Sequence, residues 1–269
     1  MAISQEILKR KGALKVTNVP ADILQLLNHG LISTVNLTEW LAVDQENLCK
    51  VFFETMDKPH YFEWYKKELS KQKKPTAPLK LKLMGICLLQ NSKPDEKEEL
   101  LIKLSTHLSD SVRCWAAYMI GMDEKFSIVE KLKKIYPFAI DSHFGVREIA
   151  WLAVRNAVDE NLNEAIKILA TWAKSENEYA RRFASEATRP RGVWCKHITE
   201  LKINPGLGLP ILEPLQSDPS KYVQDSVGNW LNDAGKTCQE WVIELCLNWK
   251  KNNSNPHTNY ICKKALRNL

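Results

Sequence analysis

Apolar residues recur at helical spacing along most of the chain, and the stripe within residues 141–157 is the clearest. It consists of Val146, Ile149, Ala150, Ala153, Val154 and Ala157. A stripe of this period predicts an amphipathic helix that buries one face. Further runs with the same spacing predict helices at 61–69, 79–89, 126–140, 162–173 and 198–201.

The helical pattern is repeated along the chain. The copies begin near Asp110, Asp141, Ser175 and Ser217, and each places an apolar residue directly before a long polar one. These pairs lie 34, 34 and 43 residues apart, and they are Val112–Arg113, Val146–Arg147, Ala180–Arg181 and Val223–Gln224. Each copy opens with Asp, Ser or Asn, which can cap a helix N-terminus. The pattern therefore predicts a tandem array of helical units.

Other helical runs lie between the copies, so each unit is two antiparallel helices joined by a short turn, as in HEAT-like repeats. One such pair cannot bury its apolar stripe alone, and pairs therefore stack into a solenoid with an extended concave surface. We predict an all-α solenoid that forms a single domain over 1–269, with less regular helices in 1–108 and the repeats in 109–251. The Lys- and Pro-bearing link 71–78 is interpreted as a turn inside the array, because loops in compact domains are short.

Composition agrees with a globular helical protein. Apolar residues make up 44% of the chain and charged residues 26%, which excludes a disordered chain, and the 10 Gly are too few to favour a many-stranded β fold. The seven Cys form an odd set without a CxxC pair, which is typical of reduced thiols in a cytosolic protein. Because the sequence has neither an export signal nor an 18-residue apolar run, we expect a cytoplasmic protein without a membrane partner.

Motifs for metal and nucleotide chemistry are missing from the sequence. It has no Walker A loop, GxSxG, HExxH or EF-hand pattern, and its six His lack metal-ligand spacing, so we expect no metal. The net charge of +6 permits a polyanionic partner but does not establish one. Candidate chemistry is therefore restricted to the polar faces of the repeated helices.

Two of the repeated helices carry isolated carboxylates on such faces. One face carries Glu148, Trp151 and Arg155. Two interpretations are open: these residues form a functional site, or Trp151 packs against the next repeat and Glu148 pairs with a neighbouring Arg. The fourth copy carries Asp233 with Lys236 nearly one turn later. The pattern leaves two interpretations of Asp233 open, a surface acid or a carboxylate held over a groove.

The third copy is the densest in arginine. Arg182, Glu186 and Arg189 lie at i, i+4 and i+7, so two cations flank one carboxylate. An exposed Arg–Glu pair is a common surface feature and contributes little stability. Arg191 follows directly, and arginine is the residue suited to bidentate contact with phosphate.

Three blocks in this region resemble a known family. They are Arg-Glu-Ile-Ala-Trp at 147–151, Glu-Ala-Thr-Arg-Pro-Arg-Gly-Val-Trp-Cys at 186–195 and Ser-Val-Gly-Asn-Trp-Leu-Asn-Asp-Ala-Gly-Lys at 226–236. Their order and the connecting segment 205–215 resemble the DNA alkylation repair proteins of the AlkC/AlkD superfamily, the AlkC branch in particular. About 20 residues follow Trp249, so we expect no immunoglobulin-like C-terminal domain of the kind that some AlkC relatives carry.

The resemblance implies a monofunctional DNA glycosylase on a HEAT-like solenoid with a basic concave DNA-binding surface. Such enzymes excise cationic N-alkylated bases in base excision repair. The expected substrate is 3-methyladenine, with 3-methylcytosine or 1-methyladenine as further candidates. The implied partner is double-stranded DNA containing alkylated bases, bound in the bacterial cytosol by a monomer without cofactor.

The resemblance also implies roles for individual residues. The catalytic carboxylates are Glu148, Glu186 and Asp233, and the aromatic contacts to lesion or sugar are Trp151 and Trp194. Cations for DNA phosphates are Arg147, Arg182, Arg189, Arg191 and Lys236. Gln224 and Trp230 stand where the resemblance leads us to expect Arg and a His-like residue.

Two alternatives keep the helical fold without the chemistry. One is a non-catalytic HEAT-repeat protein that binds distorted or branched DNA by its shape. The other is a HEAT scaffold for another protein, which the modest net charge supports.

Overall fold

The computed structural model describes residues 3–253 and 255–268. Within these residues the chain is 70% helical and contains no strand. The α-helices in this part of the chain are α1 Gln5–Leu8, α2 Ala21–Asn28, α3 Leu37–Ala42, α4 Gln45–Thr55, α5 Pro59–Ser70, α6 Ala77–Asn91, α7 Lys97–Ser105, α8 Asp110–Met122, α9 Ile128–Ala139, α10 Phe144–Glu160, α11 Leu162–Trp172, α12 Glu178–Ala187, α13 Thr199–Ile203, α14 Leu209–Leu212, α15 Lys221–Gly235, α16 Gln239–Asn252 and α17 Pro256–Ala265. Short 3-10 helices cover Val16–Asn18, Pro205–Gly208 and Glu213–Leu215.

The helices predicted from apolar spacing are confirmed to within a few residues at each end. They correspond to α5, α6, α9, α10, α11 and α13. The link 71–78 is shorter than expected, because α6 already begins at Ala77 and has Pro78 in its first turn. Proline is well tolerated there, since the first amide groups of a helix have no partner within the helix.

The chain forms two compact units. The first comprises Met1–Asp123 and Asp141–Ala153, and the second comprises Glu124–Ile140 and Val154–Leu269. In the first unit, the Phe52 ring packs edge-on against Trp115 with centroids 5.2 Å apart. In the second unit, Trp172 packs against Tyr136 and Phe183 at 4.8 and 5.2 Å. Each unit therefore has its own aromatic core, and a single domain over 1–269 stays a prediction.

A recurring hydrogen-bond pattern ties each repeated helix to the loop before it. The long polar residue of each copy donates to carbonyl oxygens five or six positions upstream. The bonds run from Arg113 Nη1 to residues 107 and 108, from Arg147 Nη1 to 141 and 142, from Arg181 Nη1 to 175 and 176, and from Gln224 Nε2 to 218, at 2.6–3.1 Å. The repeated Arg is therefore a loop-holding residue, and the Gln224 amide donates one such bond in its place.

The polar residues that open the copies stabilise the loops more often than they cap helices. Asn177 caps α12 by accepting from the Tyr179 backbone N–H, as predicted. Asp141 and Asp218 instead accept the N–H two residues further on, and their carboxylates pair with an arginine of the preceding copy. These ion pairs are Arg113–Asp141 at 2.9 Å and Arg181–Asp218 at 2.6 Å. Each therefore joins one repeat to the next.

The cysteines are mostly packed inside the protein. All seven Cys are free thiols, and five of them are buried. Across residues 3–253 and 255–268, every helix is either too short or too polar to span a bilayer.

Candidate functional site

The second unit contains a buried carboxylate surrounded by donors. Glu186, near the end of α12, is only 4% exposed. Its Oε1 accepts from Arg189 Nη1 at 2.8 Å, and its Oε2 accepts from the Ser226 hydroxyl at 2.7 Å. Arg182 Nη2 lies 3.7 Å from Oε2. The i, i+4, i+7 spacing thus brings both arginines to this carboxylate, as the sequence predicts.

A second buried carboxylate joins the same cluster from α15. Asp233 is also 4% exposed, so it is not a surface acid. Its Oδ2 accepts from Nε and Nη2 of Arg189 at 2.9 and 2.7 Å. Lys236 Nζ lies 3.5 Å from Oδ1, and Arg191 Nε donates to the Asp233 carbonyl at 3.2 Å. Arg189 therefore bridges two carboxylates from different helices.

Electrostatics favour the charged forms of Glu186 and Arg189. Burial acts to raise the pKa of Glu186, but the Arg182 and Arg189 guanidiniums and the Ser226 hydroxyl outweigh it and hold the pKa below its usual range. Burial likewise acts to lower the pKa of Arg189, but Glu186 and Asp233 outweigh it and raise the pKa. The cluster has two carboxylates, Glu186 and Asp233, and four cations, so it is positively charged overall. The cations are Arg182, Arg189, Arg191 and Lys236.

The lowered pKa of Glu186 predicts a pH-dependent stability. A carboxyl with a lower pKa in the folded state stabilises the fold above its unfolded pKa of about 4.3, and this contribution is lost as the pH falls through the folded pKa. In urea unfolding, the stability difference between the parent and Glu186→Gln should therefore be largest near neutral pH and shrink below about pH 4. The exposed Glu240→Gln is the control. A difference that stays constant from neutral pH to acid would contradict the prediction.

Arg155 holds the segment that follows α12. It is fully buried, and its guanidinium donates to the carbonyl oxygens of Ala187 and Arg189, with longer contacts of 3.4 Å to that of Lys196. It thus satisfies the Ala187 carbonyl, which the end of α12 leaves without a partner in the helix, and binds two carbonyls of the segment that follows. The sequence predicted Arg155 on a polar face. The spacing of residues along α10 gives no indication that Arg155 binds the carbonyls after α12.

The segment that Arg155 binds after α12 carries an exposed aromatic side chain. Trp194 is 63% exposed, and its neighbour Val193 is exposed as well. The backbone of Trp194 has φ 62°, in the left-handed region that bulky residues rarely adopt. Backbone strain of this kind is concentrated at functional sites.

In the first unit, the structure brings Glu148 and Trp151 together. The Trp151 Nε1–H donates to Glu148 Oε2 at 2.9 Å, and the indole is only 3% exposed, whereas the carboxylate is half-buried. Arg147 is 9% exposed and makes the loop-holding bonds described above. Its contacts favour a structural role, and its phosphate contact stays a prediction.

Metal binding receives no support from the clustering of side chains. Within the described parts of the chain, no three His, Cys, Asp or Glu side chains are grouped so that they could hold a metal ion.

Residues 82–269 match the family described as DNA alkylation repair enzyme. The match covers more than half of the chain and includes every candidate residue from Arg147 to Lys236. This chain belongs to the DNA alkylation repair enzyme family. A curated relative, the uncharacterized protein YhaZ of Bacillus subtilis (strain 168), is 42% identical over 117 residues, which are 44% of this chain and 32% of that protein. The chain therefore spans about a third of that relative.

Two solved structures share the fold of this chain. The Pseudomonas fluorescens alkylpurine DNA glycosylase AlkC, bound to DNA containing an abasic site analogue, is 23% identical with a TM-score of 0.64, over 83% of this chain and 60% of that one. AlkD2 from Streptococcus mutans is 21% identical with a TM-score of 0.62, over 82% and 99%. The predicted all-α, HEAT-like helical-repeat fold is thus confirmed, and the concave basic surface stays a prediction.

Proposed function

We propose that the protein is a monofunctional DNA glycosylase that hydrolyses the N-glycosidic bond of cationic N-alkylated bases in base excision repair. Membership of the DNA alkylation repair enzyme family carries the proposal, because the matched residues include the entire candidate site. The proposed substrate is 3-methyladenine, with 3-methylcytosine and 1-methyladenine as further candidates. The reaction needs no metal or cofactor, because the alkylated base is itself a good leaving group.

Glu148 is the proposed catalytic carboxylate for the attacking water. As a cationic base leaves, positive charge develops on the sugar, and a nearby carboxylate stabilises this charge and can orient or deprotonate water. Glu148 is the least buried of the three proposed carboxylates, and the Trp151 N–H fixes its orientation. Glu186 and Asp233 are the two further carboxylates that we propose for catalysis.

The second-unit cluster is proposed to bind DNA phosphates. Its cations outnumber its carboxylates, and Lys236, Arg182 and Arg191 reach the surface at least in part. Arg189 forms ion pairs with both Glu186 and Asp233. We therefore propose that it positions these carboxylates and adds long-range attraction to phosphate. Such contacts give affinity that weakens with salt and does not depend on sequence.

Trp194 is proposed as the aromatic contact to the lesion or its sugar. An exposed indole attracts a cation through its π face by about 0.5–2 kcal/mol. The exposure of Trp194 and its unusual backbone geometry support the role. Trp151 is proposed to act through Glu148, since its ring is almost completely buried.

The proposed partner is double-stranded DNA containing alkylated bases, bound by a monomer in the cytoplasm. The related AlkC structure is bound to DNA with an abasic site analogue, and an abasic site is what base removal leaves. The test is incubation of the purified protein with DNA treated with a methylating agent, followed by identification of released bases by mass. Release of free 3-methyladenine is expected. No release of any base, with DNA binding intact, would overturn the catalytic proposal.

One observation favours a second candidate, a non-catalytic protein that binds distorted DNA. Both Glu186 and Asp233 are already held by cations in the protein, as structural ion pairs would be. Salt-sensitive binding to distorted duplexes without base release would select this candidate.

A further inference from the structure

The positive charge of the chain is concentrated in residues 66–82. This segment holds seven Lys and one Glu, so its excess of six cations equals the net charge of the whole chain, +6. The rest of the chain is therefore neutral on balance. The lysines are Lys66, Lys67, Lys71, Lys73, Lys74, Lys80 and Lys82.

The antiparallel packing of α5 and α6 gathers these lysines at one end of a helical hairpin. Tyr61, near the start of α5, donates its hydroxyl to the carbonyl of Asn91 at the end of α6, and its own carbonyl accepts from the Cys87 thiol at 3.3 Å. The end of α5 and the beginning of α6 therefore meet at the opposite end. All seven lysines lie in the adjoining turns or in the loop between them, and we call this group the lysine end.

Most lysines of the lysine end lack a carboxylate partner within the described residues. Lys71 pairs with Glu68 at 2.5 Å, and Lys80 lies 3.8 Å from Glu46. Among the described residues, no carboxylate lies within ion-pair distance of Lys66, Lys67, Lys73, Lys74 or Lys82. The ammonium groups in the loop are also exposed, so they are available to a polyanion.

The surroundings of the lysine end favour a nucleic-acid backbone over a protein partner. No large apolar side chain is exposed anywhere within 66–82. Protein interfaces are depleted in Lys at their centre and draw most of their affinity from buried aromatic, apolar or Arg anchors. A surface of flexible, hydrated point charges instead suits the repeating phosphates of a nucleic acid.

We infer that the lysine end is a second DNA-binding surface of this protein, which contacts backbone phosphates and lies outside the family blocks. The inference rests on the proposed function only in its choice of duplex DNA as the partner. It assigns a role to the N-terminal region that neither the family match, which begins at residue 82, nor the catalytic residues supply.

The test compares two double variants that each remove two positive charges, one pair at the lysine end and one pair just beyond the opposite end of the hairpin. Lys73→Ala with Lys74→Ala removes two cations from the lysine end. Lys93→Ala with Lys97→Ala is the matched control, because those lysines lie where α6 leads into α7, among Asp95 and several Glu. Binding of each variant to a labelled undamaged duplex is measured over about 50–200 mM salt.

The lysine-end variant should lose DNA affinity in a salt-dependent way. Each phosphate contact contributes about 0.9 to the slope of log affinity against log salt, so the slope should fall by about 1.8 and affinity near 0.1 M salt by at least about tenfold. The control should keep the parent's slope. Base release at saturating protein should be unchanged, because neither lysine belongs to the proposed catalytic residues.

Failure of this inference can be told apart from failure of the glycosylase proposal. A lysine-end variant that matches the control in slope and affinity would overturn the inference, even if the parent releases methylated base. Selective loss of binding in that variant would support the inference, even if the parent releases no base. A parent that binds no duplex at the lowest salt would overturn both.

Discussion

Glu148→Gln is expected to release methylated base from DNA at least about 100-fold more slowly than the parent, since removing one preorganised charge-stabilising group costs about 10²–10³ in rate. The amide cannot carry the negative charge that stabilises the developing sugar cation, and it cannot accept a proton from water. Its oxygen can still accept the Trp151 N–H, so the local packing is retained. The measurement is single-turnover release of free base at saturating protein.

A substitution of Glu148 tests the proposed catalytic role with less effect on stability than a substitution of either of the other two carboxylates. Glu186 and Asp233 are buried around Arg189, so Gln or Asn at those positions would change stability together with rate. Glu160→Gln, an exposed change at the end of the same helix, is the matched control and should keep the parent's rate. A Glu148→Gln variant with parental DNA binding and parental release would overturn the proposed catalytic role of Glu148.

Arg189→Met should destabilise the protein by about 3–5 kcal/mol, because removal of one partner leaves buried charges without compensation. Arg189 is the cation shared by Glu186 and Asp233, and it donates three side-chain hydrogen bonds to them at 2.7–2.9 Å. The change therefore uncouples two carboxylates at once. The free energy of unfolding in urea at neutral pH measures the effect.

Two further variants identify the cause of this loss. Lys196→Met removes an exposed cation of the same segment, one that is 76% exposed and 3.3 Å from Asp159, and it should cost less than about 1 kcal/mol. Adding Glu186→Gln and Asp233→Asn to Arg189→Met removes the unpaired charges and should recover part of the stability. Equal losses in Lys196→Met and Arg189→Met, or no recovery in the triple variant, would contradict a buried charge network.

The helices and their repetition were predictable because they depend on local spacing. A stripe such as Val146, Ile149 and Ala150 lies on one face in any α-helix, so the pattern predicts both the element and its buried side. The same logic predicted the approach of Arg182 to Glu186, since residues four apart are neighbours on a helix. Arg189 lies beyond the end of α12 and reaches the same carboxylate from the turn after the helix. The function of the repeated Arg could not be predicted this way, because it bonds to loop carbonyls whose positions depend on the fold.

The sequence by itself determined a tandem array of helices, the apolar stripes that face the core and the composition of the polar faces. Only the tertiary structure decided which polar residues meet. It joined Asp233 to Glu186 through Arg189, although 44 positions separate Asp233 from that arginine, and it turned Arg155 inward to the carbonyls after α12. It also gathered the lysines of 66–82 at one end of a hairpin. The physical reason is that helical periodicity specifies neighbours within one helix, whereas contacts between helices depend on how their buried faces pack.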